Sequence, residues 1–168
     1  MGDLTSNEFD TILLVFRVIV GLVFAAHGVA KRQGGIDGTA GWFDSMGMKP
    51  GRVHAHLASL TEIVAGVALA LGLFTPFAAA AMVGVMVVAG YSVHREAFFI
   101  VKNGWEYTFK VALMGVIVAG LGPGQWSVDG ALDLVDSLNG FVGLAIAIGV
   151  GVAGGVAQLA LFYRPPTD

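Results

Sequence analysis

The length of its apolar runs limits what this chain can fold into more than any other feature. Five stretches, 11–30, 57–74, 77–93, 107–121 and 140–162, carry at most one charged residue each and are each about 20 residues long. A helix of that length crosses a ~30 Å hydrocarbon core. It also satisfies its own backbone hydrogen bonds, which an open strand in lipid cannot do. The composition agrees: 12% of residues are charged, where soluble domains carry roughly 25%. The expected fold is all-α, an integral membrane helical bundle with a four-helix core plus a fifth C-terminal transmembrane helix. It forms a single transmembrane domain over 1–168, too short for two full transporter repeats.

The connections order these spans. Thr75-Pro76 leaves room for only a tight turn, so the second and third spans are antiparallel neighbours. Gly122-Pro123-Gly124 ends the fourth. Segment 41–48 reads as a short amphipathic piece at the membrane surface. Segment 126–138 reads similarly, with Asp129, Asp133 and Asp136 facing water, and each contains a tryptophan suited to the headgroup level. The start of the chain carries Asp3, Glu8 and Asp10 and no basic residue before Arg17, which predicts a retained span rather than a cleaved leader. With five alternating spans, Lys31, Arg32, Lys49, Arg52, Arg95, Lys102 and Arg164 all fall on one side. Cytoplasmic loops are enriched in Lys and Arg. The expected location is therefore the cell membrane, multi-pass, with the N-terminus outside and the C-terminus cytoplasmic.

Charges inside the spans need partners, because a charge at the bilayer centre costs roughly 2.5–3.5 kcal/mol on insertion scales. Arg17, Gly21, Phe24, His27, Gly28 and Lys31 recur at helical spacing and form one stripe facing the bundle interior. Arg17 is expected to pair with Glu62 or Glu106. His27, Glu62, His94 and Glu106-Tyr107 fall near the basic edge on four different helices, so Arg17, His27, Glu62, His94, Glu106 and Tyr107 form the candidate pocket or polar network. Plainer roles compete. Glu106 and Lys110 stand i, i+4 as a surface ion pair, Lys31 is placed to snorkel to headgroups, and His54 and His56 read as exposed. A polar pocket of this kind suits a quinone head group, a metal or a proton path. The Glu-x-x-His spacing of carboxylate-bridged metal bundles is absent, and a haem between His27 and His94 has only their shared depth behind it. In the fifth span Gly151 and Gly155 make a G-x-x-x-G pair, a helix-packing interface expected to meet a protein partner or a second copy. The other partner is the lipid bilayer, and no nucleic acid is expected.

The ordered polar landmarks resemble the DoxX family of small bacterial membrane proteins. The likeness runs through Arg17, Gly21, Phe24, His27-Gly28 and Lys31, then Gly47, Pro50, Glu62, Gly66 and Gly72-Leu73-Phe74-Thr75. It continues at His94, Phe98-Phe99, Gly104 and Glu106-Tyr107, and ends with Gly122-Pro123-Gly124, Ser127 and Asp129. It covers about residues 10–130. The resemblance implies a four-helix membrane bundle and a link to redox chemistry, since related proteins are described as a subunit of a thiosulfate:quinone oxidoreductase. Two departures are the fifth apolar segment and Pro76, which stands where a basic residue is common.

The chain has no cysteine, so thiol and disulfide chemistry is excluded, and it has no G-x-G-x-x-G after a strand. A redox role therefore needs a bound cofactor or another polypeptide. The preferred reading is a membrane component of a redox system, with a polar intramembrane pocket serving a quinone-like or other small ligand. The alternative is a non-catalytic accessory or assembly subunit of a larger membrane complex. The topology is open to a direct check in this cysteine-free background: a cysteine placed at Gly38 should resist an impermeant reagent applied from outside, and labelling there would reverse the orientation.

Overall fold

The computed structural model describes residues 5–165, so Asp3 lies outside the described residues. Apart from one isolated bridge between Met48 and Tyr163, regular structure among them is helical. The helices are α1 (Ser6–Gln33), α2 (Ile36–Ser45), α3 (Gly51–Leu71), α4 (Thr75–Ser92), α5 (Glu106–Leu121), α6 (Val128–Ala131), α7 (Val135–Leu138) and α8 (Gly140–Phe162). A π-helical turn at Ile146–Val150 interrupts α8. Local chemistry sets the ends. Thr5 and Glu8 close a capping box on α1, whose last turn carries Lys31 and Arg32 against the negative end of the helix dipole. Gly72 ends α3 in the left-handed conformation, φ 68°, and Pro76 sits in the first turn of α4, where its missing N–H costs nothing.

Helices α1, α3, α4 and α8 are long and apolar enough to cross a membrane. Helix α5 has 16 residues, about 24 Å, yet it runs the same height as the bundle. The Tyr107 hydroxyl at its start lies 3.0 Å from His27 Nε2, and the Gln125 N–H just beyond its end donates to Asp10 at 2.9 Å. On α1 those two residues are about 25 Å apart along the axis. The structure thus is an all-α membrane bundle. Large apolar side chains such as Ile19, Leu22, Val64, Phe109 and Val156 point outward, as contact with lipid requires.

The two ends differ in charge. The Arg164 N–H donates to the Gly47 carbonyl at 2.7 Å and the Lys49 N–H to the Phe162 carbonyl at 3.2 Å. The Arg95 guanidinium lies over the Tyr91 and Tyr163 rings, 5.1 and 5.9 Å from their centroids. Loop 46–50, the end of α4 and the end of α8 therefore meet at the basic end, where α2 buries Ala40 and Phe43 against Met48, Ala55 and Val88. The opposite end holds Asp10, the turn between α3 and α4, and segment 122–138. Here the expectation for Asp129 is corrected. It is fully buried and accepts from Phe74 N–H at 2.7 Å, Thr75 N–H at 2.9 Å and the Thr75 hydroxyl at 2.9 Å. The start of α4 leaves backbone donors without intrahelical partners, and Asp129 supplies the acceptor from a distant loop. Asp133 and Asp136 are exposed as expected.

Glycines set the closest approaches. A Cβ on Gly21 would stand 2.4 Å from the Gly66 carbonyl oxygen, and one on Gly66 would stand 2.5 Å from that of Gly21, so α1 and α3 touch backbone to backbone. Helix α4 lies against α3, α5 and α8. A Cβ on Gly151 would lie 2.7 Å from the Ala80 carbonyl oxygen, and one on Gly155 2.8 Å from Val87 Cβ. The G-x-x-x-G pair therefore packs against α4 of its own chain rather than facing a partner. The reason is that Gly84 answers it from α4, giving two smooth surfaces within one molecule.

Gly66→Leu should destabilise the bundle by at least about 1–3 kcal/mol, since neither backbone can yield without moving a whole helix. Gly149→Ala, whose added methyl meets nothing within 4 Å, should melt like the wild type. Thermal unfolding in detergent compares them, and an unchanged midpoint for Gly66→Leu would refute the seam.

Candidate functional site

Three of the helices that form the core bring titratable groups to one cavity, and α1 brings two. Its volume is about 460 Å3, within the range of small-ligand sites. Glu62 on α3 has a side chain only 4% exposed, and the Lys31 ammonium from α1 reaches both its oxygens, at 2.8 and 2.6 Å. A buried carboxylate without that cation would carry a large desolvation cost. Gly28 is what lets the two helices come close enough: a Cβ there would meet the Ser59 carbonyl oxygen at 2.5 Å and Glu62 Cβ at 2.9 Å. Lys31 is thus the partner of Glu62 and lines the cavity, rather than reaching for headgroups.

His27 sits one turn before Lys31, on the same face. Its Nδ1 lies 2.8 Å from the Val23 carbonyl, which can only accept, so Nδ1 carries the proton. In the neutral ring Nε2 then accepts from the Tyr107 hydroxyl of α5 at 3.0 Å. Both nitrogens are thus engaged. His94, just past the end of α4, donates from Nδ1 to the Asn103 carbonyl at 3.0 Å, which leaves the Nε2 lone pair on the other side of the neutral ring. His27, Glu62, His94 and Tyr107 all line the cavity, with Thr108, Ser92 and Trp42.

Two expected members lie elsewhere. Arg17 does not reach Glu62 or Glu106. Its buried guanidinium donates to three backbone carbonyls: Ala70 at 3.4 Å, Trp126 at 2.8 Å, and Pro123. The Ala70 oxygen lies in the last turn of α3 and the Pro123 oxygen just past the end of α5, where helix geometry leaves carbonyls unpaired and the dipole is negative, while the Trp126 oxygen belongs to the loop that follows. That environment answers a positive charge through direct contacts with carbonyls, and the nearby Asp129 carboxylate adds Coulomb attraction without an ion-pair contact. Glu106 pairs with Lys110 in the i, i+4 fashion and accepts from Ile100 N–H at 3.3 Å, outside the cavity lining.

His54 is likewise corrected. It is 1% exposed, its Nδ1 lies 3.0 Å from the Gln158 side-chain amide of α8, and the Phe43 and Phe162 rings stand against it. Nothing in its local sequence marks this, because the neighbours come from α2 and α8. Lys31, expected at the headgroups, had a signal that pointed to the cavity: it continues the His27 stripe one turn on, at the depth of Glu62 on the facing helix.

The DoxX family model matches residues 12–95, half of the chain, which spans α1 to α4 and includes Arg17, His27, Lys31, Glu62 and His94. The chain belongs to the DoxX family. Among curated relatives it is 26% identical over 115 residues to "Putative oxidoreductase CatD" of Bacillus subtilis (strain 168), covering 68% of this chain and 84% of that one. It is 30% identical over 128 residues to "Uncharacterized membrane protein Rv3486" of Mycobacterium tuberculosis, covering 70% and 78% respectively. No solved structure matches the chain significantly. Tyr107 and α8 lie beyond the span of the DoxX match.

The two charge networks make a thermodynamic prediction. Lys31→Met and Glu62→Gln remove the two ends of one pair, so their effects on unfolding should be strongly non-additive. Arg17→Gln and Glu62→Gln act in separate networks and should add within about 0.5 kcal/mol. Coupling between Arg17 and Glu62 above that level in detergent melts would contradict the geometry.

Proposed function

We propose that this DoxX-family protein is the membrane component of a redox system and that its cavity binds the ring of a quinone. The observation that supports the reading is the convergence of Lys31, Glu62, His27, Tyr107 and His94 on one cavity of about 460 Å3 in an otherwise apolar bundle. A quinone ring offers two carbonyl oxygens, both acceptors. Lys31 has an N–H beyond the two it gives Glu62 that can donate to one of them, and the Tyr107 hydroxyl can donate to the other by turning its single proton away from His27 Nε2. Two-electron reduction of the ring takes up two protons, and the Lys31–Glu62 and His27–Tyr107 pairs are groups able to deliver them from the basic end. The electrons come from a bound cofactor or another redox protein, since the chain has neither cysteine nor a dinucleotide motif. In this reading five helices cross the membrane, including α5. The basic end faces the cytoplasm in this reading, which the Lys and Arg excess there supports.

The competing reading, a non-catalytic accessory or assembly subunit, has no need of a ligand, and one experiment separates the two. Purified protein should bind a tail-less benzoquinone saturably in equilibrium dialysis. Lys31→Met and Tyr107→Phe should each weaken binding about tenfold, the value of a hydrogen bond lost in an apolar site. Lys102→Ala, at the same end of the bundle but outside the cavity lining, should leave it unchanged. Absence of saturable binding would refute the quinone reading. A stoichiometric protein complex recovered without quinone from native membranes would then favour the accessory role.

A further inference from the structure

The polar groups occupy only the basic end of the cavity. Its lining follows α4 from His94 down to Phe77, about 25 Å at the helical rise, whereas a quinone ring needs only a fraction of that. Below Glu62 the walls change character. Helix α4 presents Ala81 and Gly84, α8 presents Val150 and Gly154, and Phe77 closes the far end. Helix α8 lies against α4, and α3 reaches the cavity only from Leu57 to Glu62, so the lower part is a trough along α4 walled by α8 and by Phe24 of α1. The side chains there are too small to fill it. Gly154 is exposed, and a Cβ on it would meet nothing within 4 Å.

We infer, on the strength of the ring-binding reading above, that the ligand is a prenyl-tailed quinone that enters sideways from the bilayer, with its tail lying along α4 and Gly154 admitting that tail. Three features of the cavity favour this occupant. The trough is continuous with the polar end, so one molecule with a polar ring and an apolar chain fills both. It is long and apolar, which matches a chain of several isoprene units and offers a second polar group nothing to bind. Its open side faces the lipid in which such a tail already resides, so entry strips little water from either surface.

Two glycines of α8 allow a clean test. Gly149 and Gly154 are both exposed and both have room for a side chain, but only Gly154 lines the cavity. Gly154→Leu therefore projects a side chain into the trough, while Gly149→Leu projects one into lipid. Each variant is compared by equilibrium dialysis at matched detergent with two probes: a tail-less benzoquinone and the same ring bearing a decyl chain. Wild type should bind the decyl probe at least about tenfold more tightly, because the buried methylenes add to the ring contacts. Gly154→Leu should remove that advantage and leave the tail-less probe within about twofold of wild type. Gly149→Leu should match wild type with both.

If the tail-less probe binds but the decyl chain adds nothing, or if Gly154→Leu keeps the advantage, the tail inference falls and the ring reading stands. Equal losses of both probes in Gly154→Leu would show that the position acts through the fold and would also overturn the inference. Binding of neither probe to wild type would overturn both readings. A phospholipid that copurifies with wild type, is lost in Gly154→Leu and resists displacement by the decyl probe would assign the trough to a structural lipid instead.

Discussion

Arg17 holds a full positive charge inside an apolar bundle, and the arrangement that accommodates it organises one whole end of the molecule. Its guanidinium donates to the carbonyls of Ala70, Pro123 and Trp126, so a single side chain of α1 ties together the end of α3 and the loop that follows α5. Gly72 is needed beneath it, since a Cβ there would lie 2.8 Å from the guanidinium carbon. Asp129 does the converse, placing its carboxylate on the N-terminal amides of α4. One cation sits on helix C-termini and one anion on a helix N-terminus, each where the dipole favours it. Segment 122–138 is thereby locked down over this end.

With one end pinned, the other can remain partly open. Helices α1 and α3 meet backbone to backbone at Gly21 and Gly66, and α4 and α8 do the same at Gly84, Gly151 and Gly155. These seams bring the outer helices close without any water-driven hydrophobic force, which is weak between surfaces that lipid would solvate equally well. The cavity lies between the two seams, lined from α1 and α3 on one side and from α4 and α8 on the other. Its polar groups lie at the basic end, where Lys31 neutralises Glu62 and His27 and Tyr107 satisfy one another.

Membership of the DoxX family extends over α1 to α4, and thus over the Lys31–Glu62 pair and Arg17. Tyr107 and the α8 wall of the cavity come from the rest of the chain. His27, Lys31, Glu62 and His94 therefore fall within the stretch that the family model matches. The wall that faces α4 across the cavity comes from α8, outside the matched span.

What could be read from the linear chain was whatever depends on length and period. Apolar runs long enough for a bilayer dictated helices. The one-sided Lys and Arg dictated two unlike ends, and the Arg17–His27–Lys31 stripe had to face inward because lipid offers it no partner. The depth of Glu62 and His27 followed from counting residues along antiparallel spans. Pairing did not follow, because depth says nothing about rotation or about what closes the ends. Arg17 looked destined for a carboxylate, yet the tertiary fold brought it unpaired carbonyls, which no residue-type pattern records. Asp129 looked wet until the start of α4 was placed beneath it, and Gly151 and Gly155 looked outward until Gly84 of α4 met them. Helix existence is local and periodic, and so legible; the choice of neighbour belongs to groups distant in sequence, and only the assembled bundle decides it.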